Sequence, residues 1–218
     1  MKRTDYLPGL ELVKLVALVA MLIDHADLIL ADRSMQWTYE VGRFALPAFF
    51  GAYAIGLSRS SDPGRSVVQL IAPAVLAQVA WQYSGARPEL VLNVLFVASF
   101  LAATVAVMRQ ARFVGIALAL TGAAVWPAFE GGWFTLAIFW SGYLAASTSR
   151  PMLAALGAAP VLAVTPGVAG LAGLAAPHLA RYLPGLPRGL VPFAWVYAAH
   201  LAALAAIAAL AAIPAAFR

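Results

Sequence analysis

The chain has 218 residues, 63% of them hydrophobic and 11% charged, with a mean hydropathy of +0.87. A soluble domain averages about 45–50% apolar and about 25% charged residues, so this composition excludes a free-standing soluble enzyme and points to one integral-membrane domain over residues 1–218. The net charge of +5 comes from arginines spread singly between apolar runs, which excludes a nucleic-acid-binding patch, and the lack of cysteine excludes disulfides and a thiolate nucleophile.

A crossing of a ~30 Å hydrocarbon layer takes roughly 20 apolar residues, and the periodicity predicts an all-α bundle of about eight transmembrane helices. Their approximate ranges are 10–30, 41–57, 67–84, 90–108, 111–127, 132–148, 152–172 and 190–213. The first run follows Met1-Lys2-Arg3 and ends in Asp24-His25-Ala26-Asp27. It is longer than the ~7–15-residue core of a cleavable signal and is read as a retained helix. Pro63-Gly64 and Arg150-Pro151 punctuate the chain between spans. Residues 152–189 carry Pro160, Pro166, Pro177, Pro184 and Pro187. They read either as one broken helix with an outer loop or as two short re-entrant pieces.

A cytoplasmic N-terminus places Lys2, Arg3, Arg59, Arg65, Arg109, Arg112 and Arg150 on the cytoplasmic side, in keeping with the positive-inside rule. Arg181 and Arg188 then fall outside unless there is a ninth crossing.

Ionisable residues inside an apolar span are costly and mark functional candidates. On the first helix Glu11, Lys14, Met21 and His25 share a face, with Lys14 and His25 roughly 16 Å apart along the axis. The second span opens on Gly42-Arg43, the fourth on Leu92-Asn93, Glu130 precedes the sixth, and the last carries His200. On this topology His25, Arg43, Asn93 and Glu130 are expected at one depth, in the outer half of the membrane. Plainer readings exist for each: Arg43 as an interface anchor, Glu130 as a solvated carboxylate, Asn93 as a helix N-cap, and His200 as a packing histidine.

Four segments, in order, resemble the TraX family of membrane proteins that N-acetylate conjugative pilin. They are Leu12-Val13-Lys14-Leu15-Val16-Ala17 through Met21-Leu22-Ile23-Asp24-His25, Gly42-Arg43-Phe44-Ala45-Leu46-Pro47-Ala48-Phe49, Leu92-Asn93-Val94-Leu95-Phe96, and Tyr197-Ala198-Ala199-His200-Leu201. The chain departs from the family pattern at Asp27, at Val97 and at Ala198-Ala199. The resemblance implies an acetyl-CoA donor and a pilin acceptor held in the inner membrane.

Acyl transfer needs a base, an oxyanion stabiliser and a dry pocket. His25 is the expected base, since imidazole titrates near neutral pH. Asp24 points about 100° away from it around the helix and is expected to pair elsewhere, for instance with Arg43. Arg43 or Asn93 is the expected oxyanion donor, and Glu130 or His200 the group that orients the imidazole or the nucleophile. The acetyl-CoA phosphates are assigned to Lys14, Arg59 or Arg65. No histidine or carboxylate spacing suggests a metal. Three other functions fit the same residues: O-acetylation of a glycan or lipid hydroxyl, a small-solute or proton-coupled transporter, and a non-catalytic assembly factor.

Overall fold

The computed structural model describes residues 7, 9–84, 91–125, 132–164, 167–187, 189 and 191–216. Among these the architecture is helical throughout: α1 (Gly9–Leu30), α2 (Gln36–Arg59), α3 (Pro63–Tyr83), α4 (Val94–Gln110), α5 (Arg112–Val125), α6 (Gly132–Thr148), α7 (Ala158–Val164), α8 (Val168–Leu179) and α9 (Phe193–Ala216). The region with five prolines resolves into two short pieces. A 3-10 turn, Pro151–Gly157, leads into α7, and α8 follows with a second 3-10 turn, Ala180–Tyr182. Pro151 stands where a helix tolerates it, in the first turn.

The second helix begins at Gln36, five residues before the apolar run at 41. Its first turn is polar, so hydropathy cannot find it. Asp32 and Arg33, at φ 49° and 56°, reverse the chain and allow that turn to start.

Among the described residues, two helices, Gln36–Arg59 and Phe193–Ala212, are long and apolar enough to cross a membrane. The 22-residue α1 has the length but carries Glu11, Lys14, Asp24 and Asp27. The outer surface of the bundle is nonetheless apolar: Val68 is 78% exposed, Phe113 86% and Leu210 66%. Helix α5 turns Gly115 and Gly122, seven residues apart, against Met108 and Phe100 of α4 and leaves its larger side chains outward. Without a hydrophobic drive between helices, small residues at the contact and large apolar residues facing out are the pattern of a membrane protein.

The core forms around α2, which packs on α1, α6 and α8, while α3 packs on α4 and α9. Close approaches set the helix directions. A Cβ on Gly173 would meet the Phe44 carbonyl oxygen at 2.4 Å, and one on Gly51 would meet Pro177 at 2.9 Å, so α8 runs parallel to α2. A Cβ on Gly9 would meet the Ala180 carbonyl oxygen at 2.0 Å, which puts Arg181 at the end of the bundle where α1 begins. Lys14 lies over Phe193 and His25 against His200, so α9 runs parallel to α1.

Candidate functional site

His25 is a buried residue on α1 whose Nδ1 lies 2.9 Å from Nε2 of His200 on α9. The two rings are inclined by only 12°, so one hydrogen is shared nearly in plane. The other nitrogen of His200 is buried and makes no full hydrogen bond. The direction of the shared hydrogen bond depends on the tautomer, and the arrangement of interest for catalysis has a hydrogen on His200 Nδ1. This tautomer leaves Nε2 of His200 as an acceptor. His25 then donates from Nδ1 and keeps its lone pair on Nε2, the form a general base requires.

Trp81 of α3 and Tyr197 of α9 complete the enclosure, with ring centroids 5.3 Å and 6.0 Å from that of His25. Tyr197 also meets His200 edge-on at 5.2 Å. Both aromatic residues are buried.

Beside the pair, towards the start of α1, lies a narrow apolar cleft of about 10 Å³. Leu18 and Met21 form one side, Phe49, Val94 and Leu95 another, and Phe193 and Tyr197 the third. At its far end the Lys14 ammonium sits 5.2 Å over the Phe193 ring and is paired with the buried Glu11. The face of α1 expected from sequence thus runs from Lys14 past the cleft to His25.

The remaining candidates do not gather at this point. Asp24 pairs with Arg33 at 3.3 Å, and Arg43 lies 3.6 Å over the Tyr39 ring, which also carries Arg33 at 4.9 Å. Gly42 makes room for the Asp24 side chain, which a Cβ there would meet at 2.5 Å. Asp27, three residues on, accepts a hydrogen bond from Thr38. These groups occupy the side of α1 that faces α2, about 100–160° around the helix from His25.

Asn93 caps α4 by accepting from the Leu95 N–H at 3.0 Å, and its amide donates to the Ala74 carbonyl and to Gln78 Oε1 at 2.9 and 3.0 Å. Both amide hydrogens are therefore committed to joining α4 to α3. Arg59 and Arg65 flank the α2–α3 turn, at the end of the bundle where α1 starts. In that turn Asp62 caps the Arg65 N–H, and Arg109 of α4 donates to the carbonyls of Leu57, Ser58 and Ser60. Glu130 lies outside the described residues.

A family model described as TraX protein matches residues 9–208. The chain belongs to the TraX family. No curated protein and no solved structure matches it. The TraX match begins with α1 and ends past His200, so the histidine pair, the cleft and Lys14 all lie within it. All four TraX-like segments reach the site: α1 supplies His25, Val94, Leu95 and Tyr197 line the cleft, and His200 pairs with His25. Phe49, the last residue of the second segment, lines the cleft too, while Gly42 and Arg43 serve the α1–α2 corner.

Sequence reasoning passed over Trp81, Thr38 and Gln78, and used Arg109 only as a marker of topology. An aromatic, hydroxyl or amide residue in an apolar helix carries no signal until its neighbours are known. Tyr197 stood inside a quoted segment without a role.

Proposed function

We propose that this TraX-family protein is a multi-pass inner-membrane acyltransferase that moves an acetyl group from acetyl-CoA to an acceptor amine, with a membrane-held pilin N-terminus as the acceptor. The observation that carries the reading is the His25–His200 hydrogen-bonded pair, its His25 ring buried, beside an apolar cleft that shares Tyr197 with it. A hydrogen-bonded histidine pair among aromatic walls supplies an imidazole oriented by a second ring, the kind of group that general-base catalysis uses. Structural packing alone gives no reason to place two imidazoles nitrogen to nitrogen inside a lipid-facing bundle.

In the proposed reaction His25 Nε2 takes the proton from the acceptor amine as its nitrogen attacks the thioester carbonyl carbon. The carbonyl π pair moves to oxygen, then returns as the C–S bond breaks. The proton held by His25 passes to the departing thiolate, so the products are an amide and free CoA. His200 keeps the reactive tautomer of His25 and disperses the charge of the imidazolium.

The donor enters from the cytoplasmic side, where α1 begins, with its phosphates near Lys14, Arg59 or Arg65 and its pantetheine arm along the line of the cleft, which opens to admit it. Arg181 beside Gly9 adds a further positive charge at that end, in keeping with a cytoplasmic N-terminus. Because α9 runs parallel to α1, the chain makes an odd number of crossings in this reading. Nine crossings result if the two pieces Pro151–Val164 and Val168–Tyr182 form a hairpin through the membrane.

The test uses purified protein in detergent, acetyl-labelled acetyl-CoA and a pilin-derived peptide with a free N-terminus. Wild type is expected to transfer label to the peptide, and His25→Ala, assayed where it is still folded, is expected to lose at least about 100-fold in turnover. Label that hydroxylamine removes would mark an ester and a hydroxyl acceptor instead. No transfer or hydrolysis by wild type would sink the acyltransferase reading and send the search to solute flux.

A further inference from the structure

Acyl transfer through a tetrahedral intermediate needs a hydrogen-bond donor where the carbonyl oxygen becomes negative. Neither expected donor is placed for this: Asn93 spends both amide hydrogens between α3 and α4, and Arg43 lies over Tyr39 on the far side of α1. The hydroxyl-bearing side chain that lines the cleft is Tyr197. It is 2% exposed, meets both imidazoles, and lies one helical turn before His200 on the same face of α9.

We infer that Tyr197 is the oxyanion donor of the site. This inference rests on the acyl-transfer reading above. A thioester in the cleft, with its carbonyl carbon towards His25, has its oxygen against α9. As the amine nitrogen attacks and the π pair moves to oxygen, the Tyr197 O–H donates a hydrogen bond to the oxyanion without giving up its proton. His25 holds the amine proton until the C–S bond breaks and then gives it to sulfur. A phenol suits a lipid-facing bundle, because it stabilises the developing charge without bringing a permanent charge into the dry site.

Tyr197→Phe keeps the ring that packs against both histidines and removes only the hydroxyl. In the peptide-acetylation assay its kcat is expected to fall about 100- to 1000-fold, the usual loss of one oxyanion donor. The KM for acetyl-CoA is expected to stay within about twofold, since the interaction forms only in the transition state. Incorporating 3-fluorotyrosine at position 197 retains the hydroxyl and is expected to preserve most of the activity.

A Tyr197→Phe kcat within about threefold of an active wild type would overturn this role while leaving acyl transfer intact. An equal collapse in the fluorotyrosine protein would overturn it too, because the site would then be sensitive to shape and not to the hydroxyl. Inactive wild type overturns the reading on which the inference rests, so the two failures are distinguishable.

Discussion

Asn93 joins two helices through a single buried side chain. It is fully buried, caps α4, and holds α3 through the Ala74 carbonyl and Gln78, whose own amide returns to the Val91 carbonyl at 3.0 Å. Asn93→Ala is expected to cost about 2–4 kcal/mol, combining a lost cap with buried acceptors left unpaired. It should show as a lowered melting midpoint in detergent. Because the N-terminal turn of α4 forms one wall of the cleft, activity is expected to fall together with stability. An Asn93→Ala protein with wild-type melting and lost turnover would instead restore a direct chemical role for this residue. Tyr197→Phe, which keeps the ring, is expected to give the opposite pattern, with turnover lost and melting largely retained.

At the scale of the element, helix contact depends on side chains that are missing. The Gly173 contact with the Phe44 carbonyl brings α8 onto α2 at backbone distance, and the neighbour is backbone that cannot swing aside. Gly173→Ala is therefore expected to destabilise by about 1–3 kcal/mol through overpacking. Gly56, on the same α2, has nothing within 4 Å of a built Cβ. Gly56→Ala is expected to be neutral or to stabilise by up to ~1 kcal/mol, the helix-propensity difference. Thermal melts of the two variants side by side test the packing, and equal midpoints would contradict it. Helix α2 also shows how a proline is accommodated mid-helix: Pro47 is buried within it, and neighbouring helices cover the site where a backbone hydrogen bond is lost.

For the whole molecule, the parallel course of α1 and α9 has a topological consequence. With the N-terminus in the cytoplasm, the C-terminus is expected on the opposite side. The chain has no cysteine, so single introduced cysteines report cleanly. In intact cells a cysteine appended after Arg218, and Ser34→Cys in the α1–α2 turn, are expected to react with a membrane-impermeant maleimide. Ser61→Cys in the α2–α3 turn is expected to react only after lysis. A protected C-terminal cysteine would return the count to an even number and contradict the parallel placement of α9.

Composition alone determined that this chain is a helical membrane protein, because apolar excess and span length are properties of segments taken one at a time. The strongly apolar runs became α1, α4 and α6 within a few residues of their expected limits. Three expectations required the tertiary structure, and for one reason: each depends on which helix faces which. Sequence order placed His25, Arg43 and Asn93 at one depth, but depth does not specify a side of the helix. The 100° step from Asp24 to His25 sends the carboxylate to Arg33 and the imidazole to His200. The pairing of residues 25 and 200, which lie 175 positions apart, follows only from the direction of α9. That direction is set by the short pieces Pro151–Val164 and Val168–Tyr182, where the prolines made the sequence ambiguous.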